Sequence, residues 1–291
     1  MRKLLSYKIL SMQTINHSIV KNEKRWTALA LLCTAQFMVI MDTSIIGVAL
    51  PAIKSELGFT QSGLQWIFNA YVILFGGILL LGGRLSDLFG ARKIFMWGFG
   101  FLAIASFFAG AAWSPEVLNI SRAVQGLGSA LIAPAAMTLL MTTFTDPQEL
   151  GKAFGFWGAS AAAGGSAGVF LGGVITEWLD WRWVFYINIP IALVVLAFSK
   201  QYLVAGRKAL GRVDWTGAIL ATSSLILFVY AIVTAEAAGW LSAQTLGLLA
   251  VAVLLLIIFI NTQKKAKEPL LPLQIFKVPN LTAGNIVMAL M

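Results

Sequence analysis

Two ionisable side chains, Asp42 and Arg122, lie inside long apolar stretches of the sequence. A charge at the centre of a bilayer costs roughly 2.5–3.5 kcal/mol on insertion scales, so it normally faces a partner or a polar cavity. The two stretches would cross a membrane in opposite directions, which places both residues at comparable depth. We therefore expect a direct or water-bridged pair. Its carboxylate would be able to exchange a proton, since burial opposes its charge and Arg122 favours it. The alternative is an ion pair that only fixes helix packing.

A second charged group lies between two apolar stretches, in the segment 82–93. Its glycines permit a tight reversal of the chain. We expect Asp87 to accept hydrogen bonds from Arg92 or to cap a helix N-terminus, forming a latch that can break. A simple basic loop would account for Arg84 and Lys93 but not for Asp87. The residues predicted to act as a gating loop are Gly83, Asp87, Gly90, Arg92 and Lys93.

Closely spaced glycines mark the apolar segment 153–175. Gly168 and Gly172 form a pair of small residues four positions apart, which favours a close helix crossing in a membrane. The density of glycines indicates a helix that is pressed against its neighbours and is able to bend or slide. The residues predicted to serve helix packing or bending are Gly164, Gly165, Gly168, Gly172 and Gly173.

A few uncharged polar side chains lie at the depth of Asp42 and Arg122. By depth and polarity alone, Gln36, Asn69, Tyr71 and Gln125 are candidates to line a substrate cavity. For Gln36, Asn69 and Gln125, a hydrogen bond between helices is an equally good interpretation.

Other kinds of chemistry find little support in the residue types. The single cysteine excludes a disulfide framework or a cysteine metal site within one chain, and we predict no metal and no cofactor. The glycine pair Gly164-Gly165 is not followed by the lysine of a phosphate-binding loop. We therefore expect any energy source to be an ion gradient, with protons as the coupled ion.

The elements that must position these residues are membrane-spanning helices. Hydrophobic residues make up 59% of the chain and charged residues 11%, against roughly 45–50% and about 25% in soluble domains. A net charge of +9 would suit a nucleic-acid partner, but the basic residues lie in short segments between apolar runs, so none is predicted. Crossing a bilayer takes about 20 apolar residues. Eight segments qualify: 27–50, 63–82, 94–113, 118–141, 153–175, 183–203, 215–236 and 242–262.

The distribution of Lys and Arg predicts the orientation. Eighteen of the 21 basic residues fall in five segments that share one side: 1–26, 83–93, 142–152, 200–214 and 263–280. Cytoplasmic loops carry this excess, so we predict a multi-pass protein of the cell membrane with a cytoplasmic N-terminus.

Composition also divides the chain. The predicted parts are a cytoplasmic leader (1–26), a six-span N-terminal bundle (27–203), a cytoplasmic linker (204–214), a two-span hairpin (215–262), and a cytoplasmic loop with the start of a ninth span (263–291). The basic leader would lie on the anionic inner leaflet or form a disordered tail. The ninth span begins near Leu281 and is too short to cross, so we expect an incomplete architecture.

Four ordered motifs carry a family resemblance: Met41 to Pro51, Gly83 to Lys93, the set Arg122, Gln125, Gly126 and Gly128, and Trp181 to Pro190. Together they resemble the major facilitator superfamily, in particular its 14-span branch of drug:proton antiporters of the multidrug efflux type. The resemblance implies a secondary transporter that exports amphipathic or cationic small molecules in exchange for protons, with Arg122 supporting proton coupling. It also implies that the C-terminal half of such a transporter is missing here.

The chain departs from this pattern in several places. Gly165 and Val169 stand where the branch commonly has proline, and Gly47 stands where it often has asparagine. These departures put strict antiport in question. The larger departure is length, and a non-transporting truncated fragment is therefore an alternative. A membrane-embedded enzyme is a remote one, because it needs paired carboxylates, a histidine cluster or a Ser–Lys dyad at membrane depth.

Overall fold

The computed structural model describes residues 2–205 and 214–266 and the positions 269, 270, 275, 281, 284 and 285, with side chains from Lys24 onward. Every regular element in this part of the chain is a helix. In order, they are α1 (Arg2–Leu57), α2 (Gln61–Phe89), α3 (Ala91–Gly110), α4 (Pro115–Thr143), α5 (Pro147–Trp178), α6 (Trp183–Tyr186), α7 (Asn188–Tyr202), α8 (Trp215–Ala238) and α9 (Ala243–Lys265).

Eight spans of the described chain are long and apolar enough to cross a membrane, which confirms the predicted all-helical fold class and the number of spans. The first is the Lys24–Leu57 part of α1, and α6 and α7 together form the sixth. Between α6 and α7 the helix is interrupted at Ile187. Pro190 lacks the N–H group that would bond to the carbonyl of Tyr186, and this accounts for the interruption.

Side-chain caps define where most of these helices begin. The side-chain oxygens of Thr60, Ser114, Asp146, Asp214 and Ser242 accept hydrogen bonds from backbone N–H groups in the first turns of α2, α4, α5, α8 and α9, respectively. Such residues satisfy N–H groups that have no partner within the helix. Short polar connections between apolar runs thus set the ends of the spans.

The predicted loop 83–93 is not a loop, and this prediction is corrected by the structure. Helix α2 continues to Phe89 and α3 begins at Ala91, so one residue, Gly90, reverses the chain with a φ of 94°. A positive φ is accessible to glycine without the steric cost that a Cβ atom imposes. Hydropathy marks where a helix leaves the apolar layer, which is near residue 82, whereas α2 continues about two turns beyond that point to Phe89.

The connections lie on two opposite ends of the bundle. The Gly90 face carries Gly90, the connection from α4 to α5, the ends of α7 and α9, and the start of α8. The Gly58 face carries Gly58 and the connections from α3 to α4, α5 to α6 and α8 to α9. The predicted linker and ninth span lie mainly outside the described residues.

Six spans pack as a bundle in which α5 lies along α1, and α4 lies against α2 and α3. The hairpin of α8 and α9 packs on α2. Ser224 Oγ of α8 donates to the carbonyl oxygen of Ala252 in α9 over 2.8 Å. At the Gly90 end, Gln263 Nε2 donates to Asp214 Oδ2 over 2.6 Å. These two bonds hold the hairpin together at different depths.

Three of the five predicted packing glycines form one stripe where α5 meets α1. A Cβ atom on Gly164 would lie 2.5 Å from the carbonyl oxygen of Phe37. On Gly168 it would lie 2.9 Å from the carbonyl oxygen of Met41, and on Gly172 the same distance from that of Ile45. The other two glycines do not face α1 closely. A Cβ atom on Gly165 would have neighbours only at 3.9 Å, and one on Gly173 would have none within 4 Å.

Candidate functional site

Asp42 and Arg122 form a direct ion pair in the interior of the bundle. Arg122 Nη1 of α4 donates to Asp42 Oδ2 of α1 over 2.6 Å, and both side chains are fully buried. The same guanidinium donates through Nε to the carbonyl oxygen of Ile67 in α2 over 3.1 Å. The direct pair agrees with the prediction from matching depths, and the bond to Ile67 brings a third helix to it.

Two amides complete the surroundings of the carboxylate. Asn188 Nδ2, at the first residue of α7, donates to Asp42 Oδ1 over 2.6 Å, and Gln125 Nε2 approaches the same oxygen at 3.3 Å. Gln125 also donates to Ser106 Oγ of α3 over 2.8 Å and accepts from Arg122 Nη1 over 2.8 Å. The cluster thus draws one polar group or more from α1, α2, α3, α4 and α7, and all of these side chains are buried.

Glycines and an aromatic ring set the position of Arg122. A Cβ atom on Gly126 would collide with the carbonyl oxygen of Tyr71, and one on Gly128 would lie 2.8 Å from the carbonyl oxygen of Gly98. Helix α4 therefore lies in close contact with α2 and α3 next to Arg122. The ring of Tyr71 stacks under the guanidinium, with 4.5 Å between Cζ and the ring centroid, which adds a cation–π attraction.

The cluster retains unused hydrogen-bonding capacity. Arg122 Nη2 and Asn188 Oδ1 are buried and have no hydrogen-bond partner among the described residues. A buried polar atom without a partner costs about 1–3 kcal/mol, and such atoms accommodate bound water or a change of protonation. The nitrogen and the oxygen of the Gln125 amide both form hydrogen bonds, whereas in the Asn188 amide only the nitrogen does.

The candidate cavity residues separate into two groups. Tyr71 and Gln125 belong to the buried cluster with Asp42 and Arg122. Gln36 is half-buried and takes no part in it, and Asn69 lines a cleft between α2 and α8. Gln36 and Asn69 therefore lie apart from the Asp42 cluster, because depth along a helix does not give the direction in which a side chain points. Their assignment to a substrate cavity stays a prediction.

Sequence reasoning did not assign Asn188 or Ser106 to the site. Asn188 lies in the motif before Pro190, where a buried asparagine at the start of a span was an available signal. Ser106 is an isolated hydroxyl in an apolar helix, and nothing in the sequence distinguishes it. Among the described residues no three His, Cys, Asp or Glu side chains come together to hold a metal ion.

The gating residues on the Gly90 face make different contacts from those predicted. Arg92 Nη1 donates to the carbonyl oxygens of Lys200 and Leu203, over 3.2 and 3.0 Å, at the end of α7. Asp87 is exposed and accepts no hydrogen bond within the described chain, so the predicted latch between Asp87 and Arg92 is wrong. Lys93 lies over the ring of Trp97, with 4.9 Å between Nζ and the centroid.

Gly83, the remaining predicted gating residue, faces α4. A Cβ atom there would lie 3.8 Å from Cβ of Pro134, an ordinary van der Waals distance. Its neighbour Gly82 has no such room, because a Cβ atom would collide with the carbonyl oxygen of Ala130. The close approach of α2 to α4 at this depth therefore depends on Gly82.

A second ion pair joins α1 to α6 on the Gly58 face. Arg182 Nη1 donates to Glu56 Oε1, and Trp181 Nε1 donates to Glu56 Oε2, both over 2.6 Å. Partial burial opposes the charge on Arg182, but its hydrogen bond to Glu56 and the nearby carboxylates outweigh this and raise the pKa of the guanidinium. The Arg182 side chain therefore remains charged, and the pair fastens this end of the bundle.

The sequence profile of the Major Facilitator Superfamily matches residues 32–288. The chain belongs to the major facilitator superfamily. Membership in this superfamily of membrane transporters confirms the predicted family and the prediction that the protein is not an enzyme. The buried cluster and the motifs around Gly90 therefore lie in a major facilitator fold.

Several relatives in the superfamily have names that refer to antibiotics. The chain is 40% identical to the puromycin resistance protein of Streptomyces alboniger, over 86% of this chain and 50% of that protein. It is 40% identical to the cephamycin export protein of Amycolatopsis lactamdurans, over 93% and 56%. It is 34% identical to the tetracenomycin C resistance and export protein of Streptomyces glaucescens, over 91% and 50%. The chain spans about half the length of these curated relatives.

A crystal structure of the POT family transporter PepTSo has a similar fold. The TM-score is 0.59 at 16% sequence identity, and the similarity covers 81% of this chain and 52% of that one. At this identity the similarity concerns the fold of this major facilitator protein and not its cargo.

Proposed function

We propose that this major facilitator chain is the N-terminal portion of a proton-coupled exporter of amphipathic or cationic small molecules. It would lie in the cell membrane with its N-terminus in the cytoplasm, in the 14-span branch of the superfamily. The observation that carries the proposal is the fully buried ion pair of Asp42 and Arg122. No cofactor is needed, because the proton gradient would supply the energy.

The surroundings of Asp42 support proton exchange as the coupling step. The ionised carboxylate accepts hydrogen bonds from Arg122, Gln125 and Asn188, which offset the cost of burying it. Protonation would remove the charge attraction that holds α4 to α1, so the helices would be free to rearrange. Asn188 suits both states: its Nδ2 donates to the carboxylate, and its unpartnered Oδ1 would accept from the protonated acid after the amide turns over.

Transport would require a second half, which the proposal assigns to a longer protein or to a partner chain. Alternating access in transporters of this kind depends on two bundles that rock around a site between them. This chain matches about half the length of its relatives. The lipid bilayer, the small-molecule substrate and protons are the other partners. A non-transporting fragment is the alternative, and it differs in lacking any gradient-driven activity.

The substrate class rests on the family resemblance of the sequence motifs and on the names of relatives. The relatives named for puromycin, cephamycin and tetracenomycin C suggest export of antibiotics. We extend this class, and no particular compound, to the present chain.

The test is extrusion of a fluorescent cationic dye from vesicles across an imposed pH gradient. The vesicles would carry either the 291-residue chain or the product of the longest open reading frame that contains it. We expect gradient-dependent extrusion by the longer product and its loss in the Asp42→Asn variant. The exposed Glu177→Gln variant, the same carboxylate-to-amide change outside the cluster and the gating segment, serves as the matched control for insertion. Extrusion that survives Asp42→Asn would refute the coupling role, and no extrusion from either well-inserted product would favour the fragment.

A further inference from the structure

A cleft separates α2 from the hairpin near the Gly58 face. This open cleft has a volume of about 520 Å³. It is lined by Gln65, Phe68 and Asn69 of α2 and by Ile232, Val233, Glu236 and Trp240 of the hairpin. This volume falls within the roughly 300–1,000 Å³ of small-molecule pockets. It lies outside the buried Asp42 cluster, whose residues do not line it. The proposed coupling chemistry therefore does not explain it.

The polar groups of the cleft are few and converge from both walls. Gln65 Nε2 donates to Glu236 Oε2 over 3.4 Å, a long bond between exposed side chains. The Asn69 amide is half-buried and makes no hydrogen bond within the described chain. These groups are therefore available to a ligand at little cost, since the bond that would be replaced is weak.

The charge of the cleft is negative. Glu236 is the one ionisable side chain among the described residues that line it, and no Lys or Arg lies among them. An anionic ligand would be repelled by this carboxylate, whereas a cation would be attracted to it. A position near the end of α8 also keeps the carboxylate close to the aqueous interface, where an amphiphile carries its charge.

The apolar walls complement this charge. Trp240 is 61% exposed and Ile232 is 41% exposed, although both face the cleft. The aromatic face of Trp240 and the ring of Phe68 attract cations as well as apolar surface. The ring contact between Trp66 and Tyr230, with centroids 5.7 Å apart, holds α2 against α8 beside the cleft. The cleft thus lies between two helices that are in contact beside it, and it has two apolar walls and one acidic side chain.

We propose that the cleft between α2 and α8 binds an organic cation with an apolar body, independently of the Asp42 cluster. Glu236 binds the ammonium or phosphonium charge, Phe68 and Trp240 cover the apolar body, and Asn69 hydrogen-bonds to any polar substituent. A free amphipathic cation and the choline group of a membrane lipid share this chemistry. The site gives the hairpin a binding role that does not depend on transport.

The experiment is equilibrium binding of tetraphenylphosphonium to the chain in lipid nanodiscs, without any gradient. Tetraphenylborate, which has nearly the same shape and the opposite charge, is the matched probe. We expect tetraphenylphosphonium to bind at least tenfold more tightly to the wild-type chain than to Glu236→Gln, and several-fold more tightly than to Trp240→Ala. Glu177→Gln changes an exposed glutamate at the end of α5 on the same face and is expected to bind as the wild type does.

The result that overturns the proposal is binding by Glu236→Gln within twofold of the wild type, or equally tight binding of tetraphenylborate. Lipid composition separates the two sources of cation. The comparison is the ratio of the tetraphenylphosphonium affinity of the wild type to that of Glu236→Gln, measured in nanodiscs of phosphatidylcholine and of phosphatidylglycerol. A smaller ratio in phosphatidylcholine means that the choline headgroup competes for the site. An equal ratio in both lipids assigns the site to free cations. Loss of dye extrusion in Asp42→Asn tests the transport proposal separately, because this binding measurement involves neither a gradient nor Asp42.

Discussion

Neutralising Asp42 is expected to destabilise the bundle strongly, because it leaves Arg122 buried without a counter-charge. The change Asp42→Asn preserves the size of the side chain and one accepting oxygen, but it replaces the other oxygen with an NH2 group that cannot accept a hydrogen bond. Arg122 would keep the carbonyl oxygen of Ile67, the oxygen of Gln125 and the ring of Tyr71. What is lost is the charge attraction across 2.6 Å between two fully buried groups.

The expected magnitude follows from the burial of both partners. Removing one member of a buried ion pair typically costs about 3–5 kcal/mol, whereas removing both often costs little. We expect a loss near the lower end of this range, about 3 kcal/mol, since the amide of Asn would still accept a hydrogen bond from Arg122. The double variant Asp42→Asn/Arg122→Gln is expected to recover at least half of that loss.

The assay is reversible unfolding of the chain in mixed micelles with increasing sodium dodecyl sulfate, followed by circular dichroism. A double-mutant cycle over Asp42 and Arg122 isolates their interaction. The control is Asp87→Asn, the same chemical change at an exposed position, with an expected effect within about 0.5 kcal/mol. A loss of less than about 1 kcal/mol for Asp42→Asn, or a double variant as unstable as the sum of the single variants, would refute the reasoning.

Three further perturbations follow from the geometry. Gly164→Leu is expected to separate α5 from α1 and to lower the unfolding midpoint markedly. Gly173→Leu is expected to leave the midpoint nearly unchanged, because a Cβ atom there meets nothing within 4 Å. Equal effects of the two changes would contradict the packing role of the glycine stripe. Gly90→Ala is expected to cost about 1 kcal/mol or more in the same assay, because its φ of 94° strains any side chain. Glu56→Gln is expected to cost no more than about 1 kcal/mol, since the pair with Arg182 is partly exposed, and 0.5 M salt should shrink the difference.

The sequence predicted best what depends on position along a helix. Asp42 and Arg122 could be paired because each lies at a definite depth and no other charge in the predicted bundle spans lies at that depth. The contacts of Gly164, Gly168 and Gly172 follow from their four-residue spacing, which returns each to the same helix face. Neither inference needed the direction in which a whole helix is rotated.

What the sequence left open depends on rotation and on helix ends. Asn69 and Asp42 lie on helices at similar depth but face different spaces, which hydropathy does not resolve. The helix continues through the charged residues before Gly90, because a polar sequence at a membrane surface can remain helical. Asn188 reaches Asp42 only because α7 begins at that residue, and this boundary depends on the interruption before Pro190.

Helix α7 has a mechanical consequence for the two ends of the protein. Its first residue, Asn188, binds the buried carboxylate of Asp42, and the carbonyl oxygens at its far end bind Arg92. Fifteen helical residues make a helix about 22 Å long, which joins the Asp42 cluster to the Gly90 face. Because only Gly90 separates α3 from α2, a shift of Asn188 would reach the α2–α3 corner as a movement of the whole corner rather than as local bending. A displacement of Asn188 inside the bundle would thus move residues at the Gly90 face.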